Sequence, residues 1–190
     1  MSERQDTLQQ YTGDMIALTK HIHEAIERQK HDESAKKDHD AYPIITRIDT
    51  ILERQIAELE AHLKMLGGDA ATPVKDAVGA LTGVAAGVID KVRSNSVSKM
   101  LRDDYTALSL AAMGYTLLHT TGVALKNKPT ADAALQMLTD ITPLIVDISE
   151  TISLVAVREL RDETETIDIA AGPEAVRNTQ KAWNREVVGK

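Results

Sequence analysis

The chain has 190 residues, 43% hydrophobic and 27% charged, enough for one globular domain with a tail. A net charge of −7 sets it against nucleic-acid backbones and anionic membranes, and the absence of Cys excludes thiol catalysis, disulfides, iron–sulfur clusters and Cys-type zinc sites. With 3% aromatics and no Phe, the core must be filled by Leu, Ile, Val, Ala and Met, a mix suited to helices meeting along narrow aliphatic seams.

The polar start (Met-Ser-Glu-Arg-Gln-Asp) lacks the apolar core of a signal peptide. The longest apolar run, Ala77 to Ile89, is too short to cross a bilayer and is bracketed by Lys75, Asp76, Asp90 and Lys91. A soluble, cytoplasmic protein with no membrane or nucleic-acid partner is the expectation. No stretch sustains period-2 alternation. Pro43, Pro73, Pro129 and Pro173 each follow a polar or small stretch and precede a periodic one, as at a first helical turn.

The first helix is predicted over 7–30, with Leu8, Tyr11, Met15, Leu18, Ile22, Ala25 and Gln29 at spacings of three and four. A charged connector, 31–40, follows. The second, over 43–66, has the seam Ile48, Leu52, Gln55, Leu59, His62, Leu66 and stops at Gly67-Gly68. The third, over 73–92, carries Val74, Val78, Leu81, Ala85, Val88 and Val92. Its Gly79, Gly83 and Gly87 recur every four residues, and small residues on one face let a neighbouring helix or a second subunit come close.

The fourth, over 97–125, shows Val97, Leu101, Asp104, Leu108, Ala111, Tyr115 and Leu118. The fifth, over 130–160, shows Ala134, Leu138, Ile141, Ile145, Ile148, Ile152 and Val155, with a kink expected at Pro143 and Asp140, Asp147 and Glu150 on a water-facing stripe. Residues 161–190 read as a charged linker and a short terminal helix whose Trp183 caps the helices or meets a partner. Long helices with short connections define the fold class: an all-α, antiparallel up-down four-helix bundle over 1–160, with one additional helix and the C-terminal tail.

The ending Glu58-Leu-Glu-Ala-His62-Leu-Lys-Met-Leu66-Gly-Gly resembles the second-helix ending of ferritin-like proteins, and most of all the YciF-type (DUF892) stress-associated group. The phrase from Met100 through Tyr105 to Tyr115, an aromatic and a carboxylate before an alanine-rich run, resembles that group's later bundle helix. The likeness covers roughly residues 10 to 160 and implies a ferritin-like bundle, a stress association and a di-iron site.

Di-iron chemistry draws one Glu from each of two helices and Glu-x-x-His from each of the other two, since i and i+3 share a face. No Glu-x-x-His occurs in this chain. The nearest arrangements are Glu58 with His62, at i and i+4, and the reversed His21-x-x-Glu24. Where the resemblance implies further carboxylates, the chain has Thr106 and Thr139-Asp-Ile-Thr-Pro143.

The expectation is therefore a ferritin-like protein with a degenerate di-iron site, non-catalytic, structural or binding in role, and a homo-oligomer such as a dimer. The rival is an iron-binding oxidase or iron-handling protein with an atypical site for iron or another divalent metal, built from Glu24, Glu58, His62 and Asp104. A third reading is a carrier with an apolar slot for a small ligand. Gln55, His62 and Asp104, polar in apolar seams, are expected to form one internal network with Tyr105 or Tyr115. His31 and His39 lie in a loop rich in Asp and Glu that offers a surface metal position.

Overall fold

A computed structural model describes residues 3–69, 96–164 and 167–183, and these are helical with no strand among them. In chain order they form α1 (Glu3–Lys30), α2 (Glu33–Lys37), α3 (Ala41–Met65), α4 (Val97–Ala124), α5 (Lys128–Glu163) and α6 (Ala171–Trp183). The predicted third segment, with Gly79, Gly83 and Gly87, lies outside the described residues. The connector expected over 31–40 contains the short α2, because the Asp32 carboxylate caps it by accepting from the N–H groups of Ser34 and Ala35.

Local chemistry sets the helix ends. α1 opens with Glu3 and Asp6 and closes with Arg28 and Lys30, charges that oppose the helix dipole at each end. α3 ends where Gly67 takes a φ of +79° and the N–H groups of Gly67 and Gly68 return to the carbonyls of Lys64 and Leu63. The freed carbonyl of Leu66 accepts the side-chain amides of Gln5 and Gln9 at 2.7 and 2.6 Å. Asn127 caps α5 by accepting from the N–H of Thr130, and Pro129 sits in the first turn. α5 runs unbroken through Pro143, on a side exposed at residues 139, 142 and 143, where water can take the carbonyl that the ring leaves unbonded.

Each of the four long helices packs against two others, in the cyclic order α1, α3, α5, α4. Every neighbouring pair is antiparallel. Lys20 meets Glu60 while Lys30 meets Asp49 across α1 and α3, and Arg47 meets Asp147 while Arg54 meets Asp140 across α3 and α5. Since α3 and α4 both oppose α1, they run the same way, and α4 begins at the opposite end from where α3 stops. The core between them is aliphatic: Ile22, Ile26, Ile45, Ile48, Leu52, Leu101, Leu108, Ile141 and Ile148 are almost wholly buried. α6 lies against α5, and at Gly172 an added Cβ would come within 3.3 Å of Leu154.

Candidate functional site

The chemistry-bearing groups of the interior are the few polar side chains inside the aliphatic core: Thr12, Thr19, Asp49, Gln55, His62, Asp104 and Thr130. They fall into separate layers along the helices, not one network.

The central layer joins all four long helices. Tyr115 on α4, wholly buried, donates its hydroxyl to Gln55 Oε1 on α3 at 2.8 Å, and Gln55 Nε2 donates to the carbonyl of Met137 on α5 at 2.9 Å. Thr19 on α1 lies 3.0 Å from the Tyr115 hydroxyl and 2.7 Å from the carbonyl of Met15. The amide oxygen of Gln55 can only accept, so the Tyr115 proton goes there, and the Thr19 proton is shared between Tyr115 and Met15. Burial raises the phenol above its ordinary range and keeps it neutral.

At one end of the core, His62 Nε2 lies 2.8 Å from the hydroxyl of Thr130, and burial lowers the imidazole pKa, favouring the neutral ring. Towards the other end, Asp104 on α4 accepts from Gln29 Nε2 on α1 at 2.7 Å. The second oxygen of Asp104 and the amide oxygen of Gln29 are buried without a partner among the described residues. Burial, only partly opposed by the Gln29 hydrogen bond and reinforced by the charge of Asp103, pushes the Asp104 carboxyl up to about 8. Asp104 is therefore a neutral acid at pH 7, and its proton gives that oxygen a donor in place of an unsatisfied charge.

The four residues singled out as metal ligands stand apart. Glu24 is exposed on α1, and Glu58 is exposed and faces Arg54 at 3.7 Å. His62 is engaged by Thr130 and Asp104 by Gln29, at different levels. Gln29 is adjacent to Lys30, which meets Asp49, and Asp49 lies ~20 Å along α3 from His62 at 1.5 Å per residue. Of the residues expected to share one network, Gln55 and Tyr115 are joined, whereas His62 and Asp104 have their own partners and Tyr105 faces outward to α6.

Among the described residues, the one grouping with metal-ligand spacing is Asp38, His39 and Asp40, in the partly exposed turn before α3. Arg158 of α5 holds both carboxylates, at 2.8 Å from Asp38 and 2.6 Å from Asp40. Burial works against the charge on Asp38, but Arg158 and the N–H groups of Ala41 and Asp40 outweigh it and hold the carboxyl below its usual range. A guanidinium already supplies the positive charge that a metal would bring.

Asp140 and Asp147, expected on a water-facing stripe, lie at the surface and pair there with Arg54 and Arg47 at 2.5 and 2.7 Å, and exposed Glu150 accepts from Gln180 of α6. Trp183 meets Tyr105 edge-on, ring centres 6.2 Å apart and planes at 64°. Sequence reasoning passed over Thr19 and Thr130. Their signal was available, since Thr19 follows Leu18 of the first seam and Thr130 lies four residues before Ala134, on the line of the fifth. Comparison of the chain with protein-family models, with curated proteins and with solved structures gives no match. No described helix is long and apolar enough to cross a membrane.

Proposed function

We propose that this chain is a non-catalytic helical scaffold: a ferritin-like four-helix bundle with a degenerate metal site, acting as a homo-oligomeric structural or binding module. The stress-associated role follows from the resemblance, and the cytoplasmic setting from the Cys-free composition. The reading rests chiefly on the central layer. A di-iron centre needs carboxylates and imidazoles converging from four helices. Here the four helices converge on a hydroxyl, a phenol, an amide and a backbone carbonyl that satisfy one another. Such a layer fixes which helices pair and in what register, because any slip leaves Gln55 and Tyr115 buried without partners.

The test is elemental analysis of chain purified without chelator and then offered ferrous iron. Metal well below one equivalent, unchanged by His62→Ala, is the expected result. About two irons per chain, lost in His62→Ala, would overturn the reading in favour of an iron-handling protein.

A further inference from the structure

From Tyr105 to Leu125, α4 carries no Asp, Glu, Lys or Arg, in a chain with 27% charged residues. Between Ala133 and Ser149, α5 carries only Asp140 and Asp147, both turned towards the arginines of α3. The outer side of α4 and the adjoining flank of α5 therefore form a face without charge. Met113, Leu117 and Val123 stand out from α4 with 58–60% exposure, and Leu135 and Val146 from α5 with 47% and 53%. Between them lie threonines whose donors are already used. Thr106, Thr116, Thr120 and Thr121 each bond the carbonyl four residues back, at 2.8–3.0 Å. Burying this face strands none of those protons, which removes the usual penalty for covering hydroxyls.

We propose that this face binds the same face of a second copy of the chain across a two-fold axis. The proposal rests on the homo-oligomeric part of the reading above and names its interface. Charge selects the occupant. Two copies each carrying −7 repel through their charged surfaces, and joining the neutral faces brings no like charges together. A partner with charged side chains would have them buried at this face without counterparts. The area suffices for a modest interface: the charge-free stretch of α4, residues 105–124, is ~30 Å long and a helix pair about 18 Å wide, giving roughly 540 Å² per copy, so that the two copies together just clear the ~1,000 Å² of a specific complex. An isologous pairing would also cover Met113 and Leu117, which stand exposed on the single chain.

The test combines sedimentation over a range of concentrations with peroxide oxidation of the full chain, read by mass spectrometry. The wild type is expected to sediment as a dimer, and Leu117→Lys, which buries a lysine from each copy in the neutral interface, to raise the dissociation constant ~100-fold or more with an unchanged helical circular-dichroism spectrum. Glu27→Lys, on exposed α1, is expected to leave the dimer intact. Oxidation of Met113 should slow as the dimer forms, while Met65, 74% exposed at the end of α3, should oxidise at a constant rate. A dimer that persists in Leu117→Lys keeps the oligomer and overturns this interface. A monomeric wild type overturns both, and slow Met113 oxidation in that monomer would mean that the face is covered within one chain. The iron measurement is independent of each of these outcomes.

Discussion

The edge between α1 and α3 and the edge between α4 and α5 solve the same packing problem in opposite ways. The first is laced with charge: Lys20 with Glu60 at 2.6 Å, Lys30 and His23 on the buried carboxylate of Asp49 at 2.5 and 3.2 Å. The second has no ion pair among the described residues. It is held by apolar contact and close approach, with Gly122 against the backbone of Ala131 and Ser98 bonding Glu159 at its far end. Long charged side chains keep helices apart and tie them at their tips, whereas small residues let backbones meet. One edge is thereby committed to water, and the other leaves the outer side of α4 neutral beyond the end where α6 packs at Tyr105.

The central layer is where the two halves are tied together, so removing it should have the largest effect. Tyr115→Ala deletes a wholly buried ring and all its hydrogen bonds, and is expected to destabilise the fold by about 3–5 kcal/mol in denaturant unfolding. Tyr115→Phe keeps the ring but leaves Gln55 Oε1 without its donor, and should lose about 1–3 kcal/mol. If the two variants were equally stable, shape and not hydrogen bonding would join the halves.

Much of this division was legible in the sequence. The seams through Leu52, Leu59, Leu101, Leu108, Ile141 and Ile148 follow the core, and helices predicted over 7–30, 43–66, 97–125 and 130–160 lie within a few residues of α1, α3, α4 and α5. Gln55, His62 and Asp104 were recognisable as polar residues in apolar seams, and each is buried. Their partners were not recognisable. Thr19, Gln29 and Thr130 lie on other helices, 68 to 96 residues away in sequence from the groups they meet, and only the relative register of the helices brings them opposite. Glu58 misled for a related reason. At i and i+4 from His62 it shares a side of the helix, yet the rotation of α3 buries His62 and leaves Glu58 beside Arg54 in water.

Asp104 and Asp49 sharpen the contrast between the halves. Both are buried carboxylates, but Asp49 has a lysine and Asp104 has an amide. The Asp104 carboxyl titrates near 8 in the folded chain, well above an unfolded aspartate near 3.8. The folded state thus binds the extra proton across that window, and the contribution is complete below about pH 4 and is lost as pH rises towards 8. The slope approaches roughly 1.4 kcal/mol per pH unit where the difference is a full proton. Unfolding measured from pH 5 to 8 should show wild-type stability falling relative to Asp104→Asn, whose amide has no proton to lose. Parallel curves would mean that Asp104 is charged in the fold and has a counter-ion.

The smallest effect separates the two sides of α4 itself. At Gly122 an added Cβ would fall 2.6 Å from the backbone nitrogen of Ala131 and 2.9 Å from its Cα, atoms that cannot yield without moving α5. At Gly114 it would meet the thioether end of Met15 on α1, the far part of a flexible side chain. Gly122→Ala should therefore destabilise by about 1–2 kcal/mol through forced separation of α4 from α5. Gly114→Ala should stay within about 1 kcal/mol of wild type, since Met15 can swing aside and Ala favours the helix over Gly. Thermal unfolding of the two variants side by side decides it. The reverse order would place the tight contact between α4 and α1, and close backbone approach would no longer account for an α4–α5 edge that holds without charge.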